Sequence, residues 1–119
     1  MSEMKIRVES MEEAFDRLRI VARRIDAGDR DVREFGLSFA TPEQMFRVLT
    51  VKRWQLLTTL RAHGAWSIRA LAGALGRDYK AVHTDVMALI DARLIERDEA
   101  GLISVPWTKI SAEIDLAAA

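Results

Sequence analysis

Between Thr50 and Pro106 the chain is cut into short segments by residues that start and stop helices, and this punctuation restricts the fold more than any other sequence feature. Thr50 can cap a helix carrying Trp54, Leu57 and Leu60 that ends at His63-Gly64. Ser67 can cap a second, with Ile68, Leu71, Ala72 and Leu75 on one side, closed by Gly76 after about two and a half turns. Asp78 can cap a third, with Val82, Val86, Leu89 and Ile90 inward, running to Arg93. The runs Leu94–Arg97 and Leu102–Val105, joined by Asp98-Glu99-Ala100-Gly101, read as a hairpin whose second strand stops at Pro106.

The flanks are patterned differently. Met4, Ile6 and Val8 alternate with polar residues, the period of a half-buried strand. Ser10 then caps a helix on which Met11, Ala14, Phe15, Leu18, Val21, Ala22 and Ile25 form one apolar stripe, ending near Ala27-Gly28-Asp29. Phe35, Leu37 and Phe39 alternate again, and Thr41-Pro42-Glu43 starts a helix with Met45, Phe46 and Leu49 as its apolar side. Ile110, Ala112, Ile114 and Leu116 alternate once more and can add a strand. Expected domains are therefore a strand-helix-strand extension over residues 1–40 and a second region over 41–119 that includes the C-terminal strand.

Helix, short helix, tight turn, longer helix and hairpin is the order of a winged helix-turn-helix, so the expected fold class is α+β, mostly helical, with that motif at its centre. Gly76 supplies the permissive backbone of the turn, while Ala72 and Val82 let the second and third helices cross closely. With Val82, Val86 and Leu89 inward, Arg77, Lys80, Ala81 and Thr84 fall on the outer side of the third helix, with His83 at one edge. Small, basic and hydroxyl groups near a helix N-terminus suit the reading of base edges in a major groove. Lys52, Arg53, Ser67, Arg69 and Arg97 are the candidate phosphate contacts, which fix register without reading sequence. Asp85 is expected to pair with a neighbouring arginine such as Arg69, and Tyr79 to pack toward the core. Trp54, Trp66 and Trp107 are too scattered to form a stacking platform, and packing is their expected role.

Charge supports this placement. Net charge is zero, yet residues 41–95 hold four acidic and eight basic residues, against nine and eight in 1–40 and five and two in 96–119. A duplex-binding surface therefore belongs to the middle of the chain. Two histidines and no cysteine argue against a zinc site, and no cofactor is expected. No glycine-rich phosphate loop, H-E-x-x-H or G-x-S-x-G occurs, so nothing points to an enzyme. The charged opening Met1–Ser10 and the lack of any run of about 18 apolar residues lead to the expectation of a cytoplasmic protein with no membrane partner.

The stretch from Phe35 to Leu116 resembles a MarR-like family of small predicted prokaryotic transcriptional regulators with a winged helix-turn-helix. The pieces that carry the likeness are Leu49, Thr50, Lys52 and Arg53; Ser67 to Val86; and Leu94 to Trp107. Val51 stands where the family pattern has proline and Ala81 where it has asparagine, so an amide able to read adenine is missing. The resemblance implies a DNA-binding antitoxin or autorepressor, with double-stranded DNA and a small toxin protein as partners. A homodimer on an inverted-repeat operator is the expected assembly, with Met11, Phe15, Leu18, Ala22 and Ile25 as the dimer or partner interface. The alternative is a winged-helix adaptor that binds only protein, which would need no basic third-helix face.

Overall fold

The computed structural model describes residues 2–29 and 36–116. The elements follow in the order β1 (Glu3–Val8), α1 (Met11–Asp26), β2 (Gly36–Phe39), α2 (Pro42–Val48), α3 (Val51–His63), α4 (Ile68–Leu75), α5 (Tyr79–Asp91), β3 (Glu96–Arg97), β4 (Ile103–Ser104) and β5 (Lys109–Glu113). The protein is thus mixed α and β, with five helices among the described residues. It divides into two compact units: one comprises Glu3–Met45 and the chain from Lys109 onward, the other the N-terminal residues before Glu3 with Phe46–Thr108.

The first unit is built on a parallel sheet of order β2-β1-β5. Ile6 lies opposite Leu37 on β2 and Ala112 on β5, and Met4 opposite Ile110. Met4 and Ile6 are buried while Lys5 between them is exposed, as the alternation requires. Parallel strands cannot be joined by a tight turn, and α1 lies in the crossover from β1 to β2. Ser10 Oγ accepts the Glu13 N–H at 3.1 Å to start α1, and Gly28, at φ +88°, follows its end. No residue of α1 is buried. β5, grouped with residues 41–119 on sequence, belongs to this sheet instead; its alternation marked a strand but carried no information on which strand it would join. Phe35, the first residue of the expected second strand, lies outside the described residues.

In the second unit, α3, α4 and α5 enclose a core of Leu56, Leu57, Leu60, Leu71, Val82, Val86 and Leu89. Leu94, Ile95, Ile103 and Trp107 extend it beneath the β3–β4 hairpin strands, and Trp107 Nε1 donates to the Arg93 carbonyl at 3.0 Å. Thr50, Ser67 and Asp78 each accept the N–H of the residue three further on, at 3.1 to 3.3 Å, which satisfies a donor that the helix itself leaves open. Gly76 closes α4 at φ +63°, ψ +32°, so that its N–H and that of Arg77 return to the carbonyls of Gly73 and Ala72. The Trp66 backbone pairs with Ile103, tying the α3–α4 connection to the hairpin.

Two apolar expectations fail here. Trp54 is 44% exposed, because the buried arc of α3 runs through Leu56, Leu57 and Leu60 and leaves Trp54 at its rim. Phe46 is 58% exposed, since α2 buries Met45 and the next residue is turned about 100° around the helix. Among the described residues no helix is long and apolar enough to cross a membrane, and no cluster of metal-ligating side chains occurs.

Candidate nucleic-acid interface

The outer face of α5 is set by what its inner face buries. Val82, Val86 and Leu89 have no exposed surface, so residues on the opposite side of the helix must point outward. Lys80, Ala81 and Thr84 are all exposed, within the first two turns, and His83 is half-buried beside them. Tyr79, Lys80, His83 and Thr84 line a shallow hollow on this surface. Asp78 caps the helix directly behind it, and Gly76 lets the backbone reverse without a side chain in the way.

One edge of the face is stacked. The Arg69 guanidinium, from the first turn of α4, sits 4.7 Å from the centroid of the Tyr79 ring, and His83 lies 5.9 Å from the same ring. Tyr79 is 38% exposed, so it is a platform for Arg69 and not the core residue expected from its helical angle. The contact holds an otherwise long and mobile cation at the mouth of the α4–α5 turn. Lys52 on α3 and Arg97 on β3 are exposed, whereas the Ser67 hydroxyl is occupied as the α4 cap.

The other edge is an ion-paired brace. Asp85 Oδ2 accepts from Arg77 Nη2 at 2.7 Å and Oδ1 from Arg53 Nε at 3.0 Å. Arg53 Nη1 also donates to the Val48 carbonyl at 3.2 Å at the end of α2. The three side chains are only 15–21% exposed. Burial pushes the Asp85 carboxyl up, but the hydrogen bonds and charges of Arg77 and Arg53 outweigh it and hold the pKa below the ordinary 3.8. Asp85 therefore pairs with Arg53 and Arg77, not with Arg69, because Arg69 is drawn to the Tyr79 ring instead. Arg77, expected to read bases, and Arg53, expected to hold phosphate, are thus bound within the protein and lie outside the open face.

The open set that the fold brings to this surface is Lys80, Ala81, Thr84, His83 and the Tyr79-supported Arg69, with Lys52 and Arg97 on neighbouring elements of the same unit. The arginine pairing of Asp85 was expected, but its two partners and the Arg69–Tyr79 stack were not; the sequence signal for the brace was an acidic residue, Asp85, on an otherwise basic stretch of helix. His63 and Trp66 form a parallel stack with centroids 3.6 Å apart, which places both at the α3–α4 connection. The sheet unit has its own hollow, walled by Val8, Pro42, Ile114 and Leu116 with Glu13 and Glu43 at its rim; that acidic rim suits no phosphate.

A protein-family model described as HVO_A0114 matches residues 48–112, which span α3, α4, α5, the hairpin strands and most of β5. No curated protein and no solved structure gives a match.

Proposed function

The chain belongs to the HVO_A0114 family, and on the geometry of its helical unit we propose that it is a winged helix-turn-helix regulator that binds double-stranded DNA in a sequence-dependent way. α4 and α5, joined across Gly76, are the helix-turn-helix; α5 is the recognition helix and the β3–β4 hairpin the wing. The observation that carries this reading is the two-sidedness of α5: Val82, Val86 and Leu89 fully buried, Lys80, Ala81 and Thr84 exposed. Lys80 and Thr84 can hydrogen-bond base edges, and small Ala81 between them permits close approach to a groove floor. Lys52, Arg69 and Arg97 are phosphate contacts that position the helix. The DNA we assign is the protein's own promoter, as for an antitoxin-type autorepressor whose other partner is a small toxin protein, bound in the cytoplasm by a homodimer.

The test is fluorescence anisotropy with labelled fragments of the chain's own upstream DNA, alongside a scrambled duplex of equal length. Replacing Lys80→Ala and Thr84→Ala together should cut the preference for the true fragment by roughly tenfold to a hundredfold, with the circular dichroism spectrum unchanged. An unaltered preference rejects α5 as the reading element, and equal affinity of the native protein for both duplexes rejects sequence-dependent binding altogether.

A further inference from the structure

We infer that α1 is the contact helix of a homodimer, packed antiparallel against α1 of a second copy with Leu18 on the two-fold axis. α1 has two apolar sides. Ala14, Arg17 and Val21 are its half-buried positions, and Arg17 reaches Glu9 at the end of β1 at 2.8 Å, which fixes the inward side. Next to it, Met11, Phe15, Leu18 and Ile25 are 76%, 54%, 52% and 57% exposed, with exposed Ala22 among them. Their spacing of four, three, four and three makes one straight stripe. Ile20, 58% exposed on the opposite side, stands alone, whereas a continuous apolar stripe of this kind marks an interface.

The occupant is read from the helix itself. Antiparallel pairing about Leu18 sets Met11 opposite Ile25 of the second copy and bulky Phe15 opposite small Ala22, so large meets small at both ends. Charge agrees with the same register. Glu12, Asp16, Arg19 and Arg23 lie on the outer side of the stripe, the acids toward the N-terminus and the arginines toward the C-terminus, with Asp26 at the helix end. The pairing that centres Leu18 brings Glu12 beside Arg23 of the second copy, and the Asp16–Arg19 pair, 2.8 Å within one helix, beside its own image. Two-fold symmetry then gives every contact twice.

Sedimentation velocity of the whole chain without DNA tests this, so that its failure is distinct from failure of the DNA-binding reading. The native protein should be dimeric at micromolar concentration. Leu18→Asp, at a half-exposed position the protomer does not need, should raise the dissociation constant at least about a hundredfold. Glu12→Arg and Arg23→Glu should each weaken the dimer roughly tenfold, and the double exchange should return it to within about threefold of native. Should Leu18→Asp impair folding by circular dichroism, Ile25→Asp near the helix end replaces it. A monomeric native protein, or a dimer indifferent to both aspartates, overturns the interface; a double exchange no better than the single ones overturns the antiparallel register.

Discussion

Asp85 shows what a single side chain contributes to this fold. Its two carboxylate oxygens hold an arginine from α3 and one from the α4–α5 turn, so one acid ties α5 to both. Asp85→Asn leaves two largely buried guanidinia without a counter-charge and should cost about 2–3 kcal/mol, read as a lowered urea midpoint at pH 7. The carboxylate's pKa is lower in the folded than in the unfolded chain, so its stabilisation is complete above 3.8 and disappears as pH falls through the folded value. The gap between native and Asp85→Asn proteins should therefore be constant from pH 7 to about pH 5 and narrow at lower pH; a gap that does not narrow as pH falls below 3.8 would contradict the pairing. Affinity for DNA should fall as well, because the brace orients Lys80 and Thr84. That Asp85 would pair with an arginine was legible, but not which one, since Arg53 and Asp85 are 32 residues apart and pattern reports only near neighbours. The lysine and threonine of the open face were legible, because buried Val82, Val86 and Leu89 fix the opposite side of the same helix.

At the level of elements, the sequence was most informative where a backbone group had to find a local partner. Ser10, Thr50, Ser67 and Asp78 all cap the helices they precede, and the Asp98–Gly101 turn closes as expected, with Gly101 at φ +85°. It was least informative where an element had to choose a distant partner: β5 was visible as a strand, but its place beside β1 was not. The hinge between α4 and α5 gives a sharp expectation. A Cβ at Gly76 would meet no atom within 4 Å, so any penalty there comes from the left-handed backbone alone. Gly76→Ala should cost about 1–2 kcal/mol, and Gly76→Asn distinctly less, because asparagine tolerates that conformation. Thermal melting distinguishes them; equal losses would mean that something other than φ sets the cost. Ser67→Ala, which strips the α4 cap and leaves the Ala70 N–H open, should cost about 1 kcal/mol in the same assay.

On the proposed reading, the two units carry separate tasks. The helical unit carries the basic face and most of the family match, and the sheet unit carries the apolar stripe of α1. With Arg53 and Arg77 bound to Asp85, the cations assigned to phosphate on the helical unit are Lys52, Arg69 and Arg97. Counterion release then sets the slope of log affinity against log salt at about −3 per protomer and about −5 for a dimer engaging both faces. Monomeric Leu18→Asp protein should keep the smaller slope and lose the larger one, which links the two units through symmetry without requiring any direct contact with DNA from α1.

The most direct measurement is a salt titration of binding to the chain's own upstream DNA, from 50 to 200 mM, with native protein and with Lys80→Ala/Thr84→Ala. Recognition through α5 gives a steep loss of affinity with salt for both proteins and a preference for the upstream duplex that only the native protein shows. Binding that ignores salt, or a preference that survives the double substitution, would contradict it.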